Sequence, residues 1–287
     1  MANKSMCPVC KFSKFEKIQI SKTYKLAKCN KCEMVWEHKH PQKLLDQYNK
    51  DYFVNENPKG GYANYFESMS INRKTFRDRL NKIESKTGNK GKLLDVGCAL
   101  GDFLEEAKRL GWKSAEGIEV SDYGYNHCIK KGLKVRKGTL ETSNYKSNSF
   151  DVVTYQDVIE HITNPVEELR KVNKILKPGG IIYLVTPDIG GVWSKILGPL
   201  WYHYKPGEHV VYFSQKTISL ALKKAGFIDI KSSRTYHVLT LEYILNRLKY
   251  YSRIFSLAHR IIKNSPFKNI TFRSYTGELE AWGKKPL

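Results

Sequence analysis

Long hydrophobic runs are missing from this chain. No apolar stretch approaches the roughly 18 to 20 residues needed to cross a bilayer, so no helical membrane span is expected. The N-terminus lacks the apolar core of a secretory leader, which places the expected protein in the cytoplasm. Acidic residues are also scarce. Against 49 Lys and Arg stand 28 Asp and Glu, a net charge of +21. Such an imbalance points towards an anionic partner: nucleic acid, a phosphorylated molecule or an acidic membrane surface. The basic residues are 38 Lys and 11 Arg spread along the whole chain, so charge alone selects none of these. Internal repeats and low-complexity tracts are absent, which excludes solenoids and disordered arrays. The 287 residues then suffice for one large α/β domain with a small appendage.

Cysteine is uncommon, and its six copies are unevenly placed. Cys98 and Cys128 stand far apart from the other four. Cys7-Pro8-Val9-Cys10 and Cys29-Asn30-Lys31-Cys32 form two CxxC turns separated by eighteen residues. Each turn presents two thiolates on one side, and two turns complete a tetrahedral sulfur shell for Zn²⁺. Four thiolates leave no open position for water, so a structural zinc is expected at a ribbon spanning 1–40. A redox CxxC would need no second pair at this distance. His38 and His40 are expected at the surface, because the shell is already full. A module this short buries little core, so the metal would supply its folding energy.

Residues 41–61 read as a linker with aromatic anchors. From Tyr62 to Ile83 apolar residues recur at mostly three- and four-residue steps, giving an amphipathic helix that ends at Gly88; 41–88 is thus linker and cover helix. From 89 onward strands and helices alternate. Strands are expected at 92–96, 115–119, 133–136, 150–155 and 180–186, with helices at 101–110, 122–131 and 165–176. This pattern implies a mostly parallel sheet with helices on both faces. Beyond it lie an irregular aromatic stretch (188–213), a helix at 214–225, a strand at 227–236, a helical stretch at 240–264 and a strand pair within 269–283.

The strand 92–96 runs into Asp95-Val96-Gly97-Cys98-Ala99-Leu100-Gly101-Asp102. The glycines stand four apart, unlike the GxGxxG of dinucleotide folds, and let a ligand approach the turn. Asp95 and Asp102 would repel a pyrophosphate but attract an ammonium and a sulfonium. That favours S-adenosylmethionine (SAM) over NAD. Glu119, ending the next strand 24 residues after Asp95, can accept from both hydroxyls of a ribose.

The runs LLDVGCALGDFLEEAKRLGW, GIEVS, SFDVVTYQDVIEHITNPVEELRKVNKILKPGGIIYLVTPD and GEHVVYFSQKTISLALKKAGF resemble the class I SAM-dependent methyltransferases. The resemblance covers roughly 90–236 and is closest to the bacterial group that includes ubiquinone-pathway O-methyltransferases and sugar- and polysaccharide-cluster enzymes. It implies a Rossmann-like, seven-stranded, mostly parallel sheet. It also implies that Asp95, Gly97, Cys98 and Gly101 cradle the methionine part of SAM, that Glu119 takes the ribose and that Val120 flanks the adenine. Thr139 and Leu140 would lie by the adenine edge, and Gln156 and Asp157 beneath the methionyl group. Ala99 departs from the pattern, since many members carry glycine there.

Methyl transfer from a sulfonium is a direct displacement, which needs an aligned acceptor and, for a hydroxyl or acidic carbon, a base. His161, His209 and Tyr212 are the expected base candidates, with His203 behind them. The expected acceptor is a small molecule, such as a nucleotide sugar, a quinone or a lipid-linked compound, methylated on a hydroxyl or on a keto-sugar carbon. Substrate choice is expected in 188–213 and 240–268. The basic amphipathic stretch 240–264 could lie on an acidic membrane, which would imply a lipid-linked acceptor; the commoner arrangement, packing on its own domain, is the one expected here. RNA methylation is the second reading, from the zinc ribbon and basic surface, although Gln156-Asp157-Val158-Ile159 lacks the Asn-Pro-Pro-Tyr motif of amino methylation. The third is a non-catalytic SAM-binding interaction module.

Overall fold

The structure is a computed structural model that describes residues 6–38, 65–249 and 252–287. The expected linker 41–61, His40 and the start of the cover helix at Tyr62 lie outside them. In chain order the strands are β1 (Phe15–Gln19), β2 (Lys25–Cys29), β3 (Val35–Glu37), β4 (Lys92–Val96), β5 (Ser114–Glu119), β6 (Lys134–Lys137), β7 (Phe150–Gln156), β8 (Leu176–Pro187), β9 (Val211–Tyr212), β10 (Ile228–Arg234), β11 (His237–Thr240), β12 (Thr271–Ser274) and β13 (Glu278–Lys284). The α-helices are α1 (Tyr65–Thr87), α2 (Asp102–Arg109), α3 (Asp122–Lys130), α4 (Pro165–Ile175), α5 (Val192–Leu197), α6 (Gln215–Lys224), α7 (Leu241–Leu248) and α8 (Arg253–Lys263).

The central sheet has the order β10-β13-β8-β7-β4-β5-β6. Its strands β8, β7, β4, β5 and β6 pair in parallel, and β13 inserts antiparallel between β8 and β10. The continuous apolar runs of β4 and β7 are those of strands covered on both faces; Leu93, Leu94, Val152 and Val153 are fully buried. Helix signals in the sequence act locally as chemistry requires. Pro165 opens α4 with Glu167 and Glu168 in its first turn, favourable for φ and for the dipole. Ser214 and Thr217 cap α6 reciprocally, satisfying two end N–H groups. The order reverses between β4 and β7, which is where open α/β sheets bind ligands.

The N-terminal strands do not stand alone. β3 pairs with β9 of the main domain, Val35 against Tyr212 and Trp36 against Val211, making a four-stranded sheet β1-β2-β3-β9. Met34 and Trp36 share one buried core with Val210, Val211, Phe213 and Leu222.

Two expectations at the C-terminal end need correction. The strand pair foreseen within 269–283 does not form: β12 pairs with β11 in a separate ribbon, and β13 alone enters the sheet. The chain turns between them at Gly277, whose φ of +85° suits glycine. The stretch 240–264 is two helices. His259 Nε2 meets Glu242 Oε1 at 2.9 Å, tying α8 to α7, yet no residue of α8 is buried. The second helix, α8, therefore does not bury its apolar face on its own domain, whereas the described residues of α7 are half-buried.

Candidate cofactor and acceptor site

The loop from β4 to α2 forms the floor of the site. Gly97 and Gly101 have φ of +74° and +82°. A Cβ at Gly97 would stand 2.5 Å from Val158 Cγ2, and one at Gly101 2.3 Å from Leu133 Cδ1, so both positions exclude side chains on two counts. Ala99 also has positive φ, +51°, and its N–H donates to Glu119 Oε2 at 2.8 Å. The other oxygen, Oε1, accepts from the Ser121 N–H at 2.8 Å. Glu119 thus ties the loop after β4 to the end of β5. Burial pushes its carboxyl up to about 7, against the hydrogen bonds from Ser121, Ala99 and Val120.

Asp95 is buried, and its Oδ1 accepts from Thr154 Oγ1 at 2.7 Å. Burial pushes its carboxyl up to about 7, opposed by that hydrogen bond and aided by the nearby Glu119. Such carboxyls favour a cationic guest, whose charge restores their ionised form. Asp102 plays no part in this: it is buried and paired with Lys131 Nζ at 3.2 Å. The electrostatic case against a pyrophosphate therefore rests on Asp95 and Glu119. The Cys98 side chain is buried in the core with Leu104 and Trp112, leaving its backbone at the loop. Val120 and Thr139 are half-buried and Leu140 is buried; Thr139 accepts the Ser143 hydroxyl on its carbonyl at 2.7 Å.

At the end of β7, Gln156 Oε1 accepts from Arg79 Nη1 at 2.6 Å. Asp157 follows with φ +56°; burial, then Glu278, push its carboxyl up to about 7. Glu160 and His161 occupy the next short turn, and Val210 N–H donates to the Glu160 carbonyl at 2.9 Å, bringing His209 beside them. Thr186 Oγ1 donates to Glu160 Oε2 at 2.9 Å, while Glu160 Oε1 and His209 Nδ1 are buried with no hydrogen-bond partner in the protein. One ligand atom from each of Glu160, His161 and His209 lies within 4.8 Å of the others. One carboxylate and two imidazoles could hold a divalent cation.

His161 Nδ1 lies 2.8 Å from the Glu208 carbonyl, so Nδ1 carries the proton. The His161 and His209 rings meet edge-to-face at 4.8 Å. Burial holds His161 down at about 4 and His209 well below the usual histidine range, so both are neutral at pH 7. His203 is also buried, its Nε2 3.3 Å from the Thr276 carbonyl. Tyr212 is placed differently from the histidines. It is buried in the junction between the N-terminal sheet and the main domain, and its hydroxyl meets Tyr24 Oη at 2.7 Å.

Sequence reasoning missed Arg79, His237 and Glu278. Arg79 Nη2 stands 3.1 Å from His237 Nε2 and 3.7 Å from Glu278 Oε2, and His237 Nε2 also hydrogen-bonds that oxygen. Burial pushes Glu278 upward, but His237, His203 and Arg79 together outweigh it and hold its carboxyl at about 2. One signal existed. Arg79 falls three residues after Phe76 and four before Ile83, on the apolar face of its helix, where a charge has to be paired.

Near the N-terminus, Cys7, Cys10, Cys29 and Cys32 bring their sulfurs within 4.8 Å of one another. Cys7 Sγ and Cys32 Sγ are 3.5 Å apart, Cys10 Sγ and Cys29 Sγ 3.4 Å. The N–H groups of Cys10 and Lys31 point at the sulfurs of Cys7 and Cys29, each at 3.4 Å.

Comparison with known proteins agrees with this architecture. Residues 68–232 match the family described as "Methyltransferase domain". A ubiquinone biosynthesis O-methyltransferase of Caulobacter vibrioides is 38% identical over 101 residues, 33% of this chain and 40% of that protein. One from Azoarcus sp. is 26% identical over 188 residues, 59% of this chain and 78% of the relative. The chain spans only about half the length of most of these relatives. Among solved structures, a SAM-dependent methyltransferase from Archaeoglobus fulgidus superposes with a TM-score of 0.53 at 18% identity, covering 77% of this chain and 99% of that one. One from Thermotoga maritima gives 0.52 at 18%, covering 77% and 93%. With the family matched over more than half its length and the sheet order, loop and carboxylates in place, the chain belongs to the class I SAM-dependent methyltransferases.

Proposed function

We propose that the protein methylates a hydroxyl oxygen of a small-molecule acceptor bound between the end of β7 and the segment 201–212. One observation carries this reading: the orphaned pair Glu160 Oε1 and His209 Nδ1, buried beside His161. Burying two polar atoms without partners is costly. An acceptor hydroxyl supplies what both lack, donating its proton to His209 Nδ1 and accepting from a protonated Glu160. Burial raises Glu160 well above the ordinary carboxyl range, so it holds that proton. His209 then takes the hydroxyl proton as the oxygen attacks the methyl group. His161, fixed by the Glu208 carbonyl, and Tyr212, fixed by Tyr24, orient it. The O-methyltransferase names of the relatives point the same way.

In this reading Asp95 and the loop at Gly97, Cys98 and Gly101 hold the aminoacyl end of SAM, Glu119 its ribose, Val120, Thr139 and Leu140 its adenine, and Gln156 and Asp157 the methionyl side. Cys7, Cys10, Cys29 and Cys32 hold a structural Zn²⁺. A tetrahedron with Zn–S of 2.3 Å has edges of about 3.8 Å, and the sulfur spacings of 3.4 and 3.5 Å approach it.

The test is transfer of labelled methyl from SAM into a metabolite extract by the full chain, followed by treatment of the product with hydriodic acid, which cleaves methyl ethers and spares C-methyl groups. Volatile label, lost with His209→Gln and Glu160→Gln while SAM binding persists, supports the reading. Label that resists the acid means carbon methylation, and SAM binding without any transfer means a binding module.

A further inference from the structure

We infer that the arm running from β11 through α7 and α8 to β12 is a docking surface for an acidic lipid bilayer. The observation is an apolar stripe that nothing in the described residues covers. Ile254, Leu257 and Ile261 recur at the three- and four-residue steps of one helix face, and they are 77%, 59% and 62% exposed. The turn that follows, Pro266–Asn269, adds Phe267 at 58%. Single exposed apolar residues are ordinary; a stripe of this kind on one short arm is not. The arm is held in this pose from its inner side, by the His259–Glu242 contact and by half-buried Ala258 and Ile262.

Charge selects the occupant. From Arg253 to Ser274 the chain has five Lys and Arg and no Asp or Glu. Among the described residues Arg253, Arg260, Lys263 and Lys268 form no ion pair. On α8, Arg253 and Arg260 stand beside the exposed stripe. Phe272 and Arg273 of β12 continue the mixture and line, with Lys74, Arg77 and Asp78, a cleft of about 420 Å³ in which Arg273 pairs with Asp78. Apolar groups flanked by arginine and lysine are what an interfacial helix needs: the stripe enters the acyl boundary while the cations meet anionic headgroups. RNA would use the cations and leave the stripe in water. A second copy of this chain would set like charge against like. No helix among the described residues is long and apolar enough to span a membrane, so this is attachment at the surface. His237, which opens the arm, hydrogen-bonds Glu278 just past its end, beside Arg79 and Gln156; on the proposed reading of the acceptor site, this ties docking to acceptor delivery.

The test is co-sedimentation of the full chain with vesicles of phosphatidylcholine alone and of phosphatidylcholine mixed equally with phosphatidylglycerol. It is independent of methyl transfer, so its failure leaves the proposed activity untouched. Binding is expected with the mixed vesicles only and declines with salt. Each basic residue near an acidic surface is worth about fivefold in affinity, so Arg253→Gln with Arg260→Gln weakens binding about 20-fold. Ile254→Ser with Leu257→Ser and Ile261→Ser weakens it about tenfold or more. The charge-matched control Lys17→Gln with Lys22→Gln, on the exposed N-terminal hairpin, changes it less than about twofold. A thermal shift with SAM verifies that each variant is folded. The inference is overturned by absent or headgroup-independent sedimentation, by equal loss in the control, by wild-type binding of the serine variant, by salt-sensitive RNA binding in place of vesicle binding, or by a dimer in solution that the serine substitutions dissolve.

Discussion

Ala99 donates its backbone N–H to Glu119 Oε2 at 2.8 Å while standing at a φ of +51°. Positive φ is the conformation that glycine adopts most readily, and here an alanine holds it. A left-handed alanine costs about 1 kcal/mol, and the loop accepts that cost to keep its N–H on the Glu119 carboxylate. Ala99→Gly is therefore expected to stabilise the protein by up to about 1 kcal/mol. Ala99→Val should destabilise it by more, since a branched side chain resists positive φ. Denaturant unfolding of the two variants checks this; equal stability of Gly, Ala and Val would remove the argument.

Protonation of Asp95 and Glu119 should govern SAM affinity. Both carboxyls are raised to about 7. Because the folded values exceed the ordinary ones, the empty site holds protons that the unfolded chain has released between about pH 4 and 7. Stability of the empty protein from these groups thus falls as pH rises through that window. A bound ammonium and ribose favour the ionised forms, so binding must expel the protons below pH 7. The dissociation constant is expected to rise by about fivefold per group between pH 7 and pH 6 and to level off near pH 8. Calorimetry across this range measures it. Asp95→Asn should bind SAM weakly and with a flatter profile; an unchanged pH dependence in that variant would exclude Asp95 as the titrating group.

Arg79 should be worth more than its position on a cover helix suggests. It is 2% exposed and shared by Gln156, His237 and Glu278. Arg79→Met leaves a buried carboxylate short of one cation and is expected to cost about 3 kcal/mol. Glu278 lies below its ordinary value, so its contribution is present above about pH 4.5 and is lost as pH falls towards about 2. In Arg79→Met that acid loss should begin at higher pH. Thermal melts between pH 3 and 7 read both effects, and a variant as stable as wild type at pH 7 would show the cluster to be solvated.

The parts of this molecule that were legible in the sequence are those where a local pattern is sufficient. Strands β4, β7 and β8 read as apolar runs cut by Gly97, Asp157 and Pro187, and α4 and α6 announce themselves through Pro165 and Ser214. The four cysteines read by spacing alone. Long-range pairing was not legible. Nothing near Val211 says that it will continue the sheet of Trp36, and nothing in Thr271–Ser274 says that it will pair with β11 and stay out of the main sheet. The buried polar cluster suffers most, because Arg79, His237 and Glu278 come from three elements whose meeting only the tertiary fold decides.

That long-range pairing makes a prediction about the N-terminal sheet. β9 hydrogen-bonds to β3, Gly207 N–H donates to Glu37 Oε2 at 3.1 Å, and Tyr212 shares its hydroxyl with Tyr24. All three contacts hold the segment that carries His209, while none touches the loop at Gly97 or Glu119. Damage to the N-terminal module should then separate acceptor turnover from cofactor binding. Cys29→Ser, or removal of metal by a strong chelator, is expected to unfold the ribbon and to reduce turnover by about a hundredfold or more. SAM affinity should change less than about threefold, because Asp95 and Glu119 are held by β4 and β5. Tyr24→Phe is the milder form of the same experiment. It removes one of the two hydrogen-bond partners of the buried Tyr212 hydroxyl, the other being the Lys205 backbone, at a cost of about 1 kcal/mol, and its effect should fall on kcat and on the pH profile of turnover. Calorimetry with SAM beside turnover measurements tests the separation. Parallel loss of both functions would mean that the ribbon supports the whole fold and has no particular hold on His209.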